Sequence, residues 1–230
     1  MRELVIDTET TGLDPNDGHR IVEIAAIELH NHLPTGRVFH CYVNPERDMP
    51  EAALAIHGLT SEFLATHRTF ALAAPEFLDF IGSDPLVIHN AEFDLAFLNA
   101  ELKRCGLAPL ASPFTDTLAL ARRRYPGQPA NLDALCRRFA IDLSAREKHG
   151  ARLDGELLAA VYLELIGGRQ PNFDLTPALA AAALQRTVAR VMRPPRPHQA
   201  SPEELIAHAA LVAKLKQPLW RSEAAAAAAG

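Results

Sequence analysis

Hydrophobic and polar positions follow two different periods along this chain. Leu4, Val5 and Ile6 make a short continuous apolar run that stops at Asp7. A run of that length bounded by charge predicts a buried strand over 3–7. Longer apolar runs over 20–30 and 37–43 predict two more strands, with the turn between them at Pro34–Gly36 and Asn44-Pro45 closing the last. These three fit an antiparallel meander. Proline-marked polar loops follow around Met49, Pro50 and Glu51. The pattern then changes to a helical period. Thr60 caps a helical stretch through Leu64, and a second helix covers 70–81. A short buried strand is predicted over 85–89, then an amphipathic helix over 91–105 stopped by Gly106. A short strand over 114–116 leads into a helix over 118–125. Asn131 caps a helix over 132–139, and a long helix covers 150–166, closed by Gly167 and Gly168. Three antiparallel strands followed by alternating strand and helix indicate an α/β fold, a mixed sheet flanked by helices.

The pattern changes again after Gly168, so 1–168 reads as one domain. Residues 169–176 are short and extended, and 178–192 are an alanine-rich helix. The stretch 193–200 carries three prolines in eight residues and reads as an extended linker, so 177–200 is a helix plus linker. Ser201, Pro202 and Glu204 then supply an N-cap, a first-turn proline and a reciprocal capping residue. Leu205, Val212 and Leu215 give that helix a thin apolar stripe, and the chain's single Trp follows at 220. A helix beyond a proline linker cannot easily join the core, so 201–222 reads as a docking segment for another protein. Ala-rich 223–230 reads as a disordered end.

Composition narrows the function. At 230 residues and 48% hydrophobic, the chain supports one sizeable core plus an appendage. No apolar run approaches the roughly 20 residues needed to span a bilayer, and a charged residue and a strand stand where a signal peptide would begin. Cys41, Cys105 and Cys136 show neither a zinc spacing nor an even disulfide framework. They read as reduced thiols of a cytoplasmic protein. A formal net charge of −5 argues against a broad duplex binder, which needs a basic footprint. An enzyme gripping only the end of a strand is compatible with it.

The candidate chemistry lies where predicted elements end. Asp7 and Glu9, two residues apart on a strand, project from one face and repel each other, which calls for a shared proton or a cation. Asp94 stands in the first turn of the helix after His89-Asn90. His149 and Asp154 are five residues apart, about 140° around a regular helix, so they face one site only if His149 precedes the helix proper. Gly150 permits that. Each of these residues alone has an ordinary reading, as a cap, a surface group or a helix-dipole partner.

Together, in this order, Asp7-x-Glu9, His89-Asn90-x3-Asp94 and His149-x4-Asp154 resemble the three motifs of the DEDDh family of 3′→5′ exonucleases. Segments 56–60, 116–122 and 131–136 look like family segments too, and the likeness runs from Leu4 to about Gly168. The likeness is greatest to the proofreading subunits of bacterial replicative DNA polymerases, whose tail is also similar. The resemblance implies a ribonuclease H-like mixed five-stranded sheet with a flexible tail and docking helix. It implies two divalent metal ions, Mg²⁺ or Mn²⁺, held by Asp7, Glu9, Asp94 and Asp154. Two such ions supply an attacking hydroxide and relieve charge on the leaving oxygen, and hard cations prefer carboxylates. His149, with a reference pKa near 6.5, is implied as the acceptor of the water's proton. Asp7, Thr8, Glu9, Glu51, His57 and Asp154 are implied substrate contacts, although His57 also reads as a loop cap. His89, Asn90 and Asp116 read as shaping the strand-to-helix turn. The implied partners are a DNA 3′ end, the polymerase alpha subunit through 201–222, the sliding clamp through Gln170–Leu175 and a further small stabilising subunit, in a bacterial cytoplasmic replisome. A stand-alone nuclease acting on RNA or short oligonucleotides has the same catalytic residues and is the alternative.

Overall fold

Leu4, Val5 and Ile6 are completely buried, and the strand they begin, β1 (Arg2–Thr10), is the central strand of a five-stranded sheet in this computed structural model. The structure describes residues 1–144, 148–167 and 199–215. The expectations for the clamp-binding peptide, for 177–198, for Trp220 and for 223–230 lie outside the described residues.

The other strands are β2 (Ile21–His30), β3 (Leu33–Tyr42), β4 (Leu86–Ile88) and β5 (Phe114–Asp116), in spatial order β3-β2-β1-β4-β5. The first three pair antiparallel, while β4 lies parallel to β1 and β5 parallel to β4. This is the expected mixed sheet. Alternation sends successive β1 side chains to opposite faces. Leu4 and Ile6 join a core with Phe70 and Phe77 of α3 (Phe70–Ile81) and Phe97 of α4 (Ala91–Arg104). Val5 joins Leu158, Ala159 and Tyr162 of α7 (Ala151–Leu165) on the other face. Buried Gly155 lets α7 lie close to β2, since a Cβ there would come within 3.0 Å of Ile27 Cδ1. The Tyr162 hydroxyl donates to Glu3 Oε1 at 2.8 Å, tying the same helix to β1. A third cluster joins α7 to α5 (Thr117–Arg124) and α6 (Leu132–Arg138) through Ala121, Leu135, Cys136, Val161 and Leu165.

Three expectations are corrected. The first strand extends three residues beyond Asp7, because β2 continues to pair with it as far as Thr10↔Ile21, past a register shift at Glu9/Thr10. Asp7 and Glu9 therefore sit within a strand, not beyond its end. The turn between β2 and β3 is Asn31-His32, both left-handed (φ 51° and 67°), not Pro34–Gly36. Two left-handed central residues match the twist of a hairpin, and Pro34 is tolerated because β3 is an edge strand. The segment around Pro50 is not a loop throughout. Pro50 stands at the N-cap of α1 (Glu51–His57), which ends at left-handed Gly58. Thr60 caps α2 (Ser61–Ala65) as expected, accepting from Phe63 N–H at 3.2 Å.

Cys41, Cys105 and Cys136 are free thiols. The chain divides into two units, Met1–Phe173 and Asp174–Gly230. In the second, α8 (Pro202–Lys214) carries the expected capping box: Glu204 N–H donates to Ser201 Oγ at 3.2 Å and Ser201 N–H to Glu204 Oε2 at 2.8 Å. Leu205, Ile206 and Leu211 on this helix are exposed. No helix among the described residues is long and apolar enough to cross a membrane.

Candidate active site

The acidic residues arrive from three elements. Asp7 and Glu9 have the same strand parity as Val5, so they leave β1 toward α7. Asp154, in the first turn of α7, is 4% exposed. His149 precedes the helix, which starts at Ala151 after extended Gly150, as the five-residue spacing required. His149 Nδ1 lies 3.2 Å from Asp154 Oδ2. Ligand atoms of Glu9, His149 and Asp154 all fall within 4.8 Å of one another.

Asp94 arrives from the other side. It lies in the first turn of α4 and is 4% exposed. Thr8, turned away from Asp7 and Glu9 by the strand alternation, donates its hydroxyl proton to Asp94 Oδ1 at 2.8 Å. Burial pushes the Asp94 carboxyl up to about 7, although this hydrogen bond favours the ionised form. Asp7 is also held well above the usual carboxylate range. Loss of solvent is the largest cause, followed by the charges of Asp94, Glu9, Asp154 and Glu23. This donor set fits divalent cations. It offers clustered carboxylate oxygens whose mutual repulsion a cation relieves.

A cavity of about 520 Å³ opens beside Glu9. Thr8 to Asp14, Ala53, Ile56, His57 and Phe93 contribute to its lining, which is mostly apolar. His57 is buried at the end of α1, and its Nδ1 accepts from Leu59 N–H at 3.0 Å. Burial lowers its pKa, so the neutral ring predominates at pH 7, with its proton on Nε2. That nitrogen is buried, and the Thr10 backbone beside the ring partly opposes the lowering. Glu51 is exposed at the first position of α1 and is not among the lining residues.

His89, Asn90 and Asp116 shape the turn. Thr117 Oγ1 donates to Ile88 O at 3.2 Å and accepts from His89 Nδ1 at 2.9 Å. Asn90 is left-handed (φ 67°), and Asp116 Oδ1 accepts from both Asn90 N–H and Leu118 N–H. Glu23 belongs to the site without belonging to any of the three motifs. It pairs with Glu9 across β1 and β2 and is 3% exposed. Its Oε2 accepts from Ala151 N–H at 3.1 Å, at the start of α7, and His40 Nε2 lies 2.7 Å from Oε1. An acid amid the apolar run Ile21–Leu29 was the available signal. Phe93 gave none, since an aromatic on an amphipathic helix reads as core.

The exonuclease family model (RNase_T) matches residues 4–162. The DNA polymerase III subunit epsilon of Rickettsia conorii is 55% identical over 179 residues, covering 76% of this chain and 78% of its own. The subunit of the same name from Escherichia coli K12 is 40% identical over 239 aligned positions, 96% and 98% of the two chains. Among solved structures, exonuclease X in complex with 5′ overhanging duplex DNA matches at 27% identity and a TM-score of 0.56, covering 71% of this chain and 90% of that one. The nuclease domain of 3′hExo, a DEDDh family member bound to rAMP, shares the fold. It matches at 21% identity and a TM-score of 0.62 over 74% and 94% of the two chains.

Proposed function

This chain belongs to the exonuclease family and, within it, to the epsilon subunits of DNA polymerase III, and from that premise we propose how its residues divide the work. It is a DEDDh-type 3′→5′ exonuclease with a proofreading role, in a family that uses divalent metals. Asp7, Glu9, Asp94 and Asp154 hold two ions, Mg²⁺ or Mn²⁺. When bound, such a pair supplies a nucleophile at neutral pH and offsets charge on the phosphoryl and leaving oxygens. The observation that carries this assignment is the convergence of Glu9, His149 and Asp154 within 4.8 Å, next to a raised Asp7.

His149 accepts the proton of the attacking water. Its side chain is half exposed, and Asp154 beside Nδ1 orients the ring toward the cluster of acids. The cavity takes the terminal nucleoside, with Thr8 and Glu9 against it and His57 in its wall offering Nε2–H to an oxygen of the nucleotide. The mostly apolar lining suits any base. Selectivity for a mismatched end then follows from the lower cost of unpairing it. Exposed Glu51 gains no support as a substrate contact.

The relatives' names support association with a polymerase, and we infer the finer partners from the sequence alone. Residues 201–222 dock on the polymerase alpha subunit, Gln170–Leu175 binds the sliding clamp, and a further small subunit stabilises the nuclease domain. The assembly works in the bacterial cytoplasm. The test of the chemistry is direct. Asp7→Ala and Glu9→Ala abolish nucleotide release from 3′-ended single strands, while His149→Ala leaves weak, metal-dependent activity. Unchanged turnover in Asp7→Ala overturns the assignment.

A further inference from the structure

One ionic cluster is not used by the chemistry above. Glu101 lies on α4, about two turns beyond Asp94, and is 1% exposed. Arg20 grips both of its oxygens, Nε to Oε1 at 2.5 Å and Nη2 to Oε2 at 2.9 Å. Arg104 adds a bond from Nη1 to Oε1 at 3.1 Å. A carboxylate gripped in this forked way has a fixed orientation, and so do the guanidinium groups that grip it.

Both arginines also hold backbone. Arg104 Nη2 donates to Pro15 O at 3.2 Å and its Nη1 to His19 O at 3.5 Å. Arg20 Nη1 donates to Pro45 O at 3.3 Å. The main chain of Arg20 is bonded to Thr11 in both directions: Thr11 N–H to Arg20 O at 2.9 Å, and Arg20 N–H to Thr11 Oγ1 at 3.0 Å. Thr11 Oγ1 in turn meets His19 Nδ1 at 3.1 Å. The His19 ring fills the space that a side chain at Gly12 would take, since a Cβ there would come within 2.3 Å of it. The segment between Gly12 and His19 is therefore suspended from Glu101 at both ends. Gly12, Leu13, Asp14, Asp17 and His19 of this segment line the cavity beside Glu9.

We propose that Glu101, through Arg20 and Arg104, is a positioning residue that holds the Gly12–His19 wall in the shape that receives the terminal nucleotide, and so sets substrate affinity and not the rate of bond cleavage. The inference rests on the reading that the cavity takes the terminal nucleoside. None of the proposed metal ligands lies in this wall, nor does His149, so its loosening acts on binding. Truncating Arg104, which is partly exposed, frees two backbone carbonyls without uncovering the core. Glu101→Gln keeps the side chain's size but removes the charge that both arginines share.

The test measures single-strand degradation together with equilibrium binding of thymidine 5′-monophosphate in the presence of Mg²⁺, the latter requiring no turnover. Arg104→Ala raises KM on the order of ten-fold with kcat within about two-fold of the parent, the scale set by a binding wall displaced by a fraction of an ångström. The nucleotide's dissociation constant rises by the same factor. Glu101→Gln shows the same split more strongly. If Glu101→Gln does not fold, Arg104→Ala carries the test alone. Parental KM and nucleotide affinity in folded Arg104→Ala overturn the proposal, and so does a fall in kcat at constant KM. A wild-type chain that binds the nucleotide but cuts no strand instead refutes the assigned reaction, and the binding arm still reports on the wall.

Discussion

Asp7 lies between Val5 and Glu9 on the face of β1 turned toward α7, and Thr8 is turned the other way, to Asp94. One tripeptide thus supplies two carboxylates to one side and a hydrogen-bond donor to the other. Without cations this concentration of acids costs stability. Asp7's carboxyl is held well above its ordinary range, first by loss of solvent and then by its acidic neighbours. A group whose folded pKa lies above its unfolded value favours the fold fully only below the unfolded value. That favour is lost as pH rises through the folded one. Asp7→Asn therefore raises the melting temperature in chelator. The gain grows as pH rises above about 4 and vanishes in stronger acid. In the parent, a divalent cation at a hundred times its dissociation constant adds about 2.7 kcal/mol, at about 2–4 °C per kcal/mol for a domain of this size. Asp7→Asn loses most of that cation-dependent rise. A cation shift of equal size in both proteins would remove Asp7 from the ligand set.

At the scale of elements, α7 matters most, because Asp154 lies in its first turn and His149 just precedes it. Its N-cap is Gly150, which has no side chain to satisfy the first N–H groups. Glu23 meets that need from β2, with one oxygen on Ala151 N–H and the other beside His40. An anion there also complements the helix dipole. Glu23→Ala is expected to cost about 1–3 kcal/mol in urea unfolding and to lower kcat more than it raises KM, because the start of α7 loses its anchor. Loss of stability with parental kcat would make Glu23 a purely structural group. The legibility of these elements follows the same local physics. Helix caps announced themselves: Asn131 and Ser201 each satisfy backbone donors within a few residues, whereas the polarity change at Asp7 suggested a strand end that pairing with β2 carries on to Thr10. The Asn31-His32 turn was hidden because Pro34 and Gly36 are louder turn signals, although an edge strand accommodates both. Helix α1 was hidden because two prolines, Pro45 and Pro50, come just before it, and the second serves as its N-cap. The four acids and His149 were legible through their spacing. Glu23, Glu101 and the Thr8–Asp94 bond were not, since each depends on a partner from 81 to 128 residues away.

At the scale of the molecule, the proposed cutting and the proposed recruitment fall on different stretches. All the proposed metal ligands, His149 and the cavity belong to the first unit, and the three apolar clusters draw only on residues 4–166. The second unit contributes α8, thirteen residues with a complete capping box and with Leu205, Ile206 and Leu211 exposed. A helix of that length is marginal in water on its own, and burial of an apolar face is the usual source of the missing stability. On the proposed docking, a polymerase surface supplies such burial. A chain ending at residue 168 is therefore expected to keep its kcat on free single strands within about two-fold, since it retains every core and site residue among those described. It is expected to lose capture by the polymerase in a pull-down. Leu205→Asp with Leu211→Asp in the full chain should lose capture equally while leaving nuclease turnover intact, because a charge on that face opposes burial. Capture of the truncated and full-length chains to the same extent would move the polymerase contact onto the nuclease unit and leave α8 without that role.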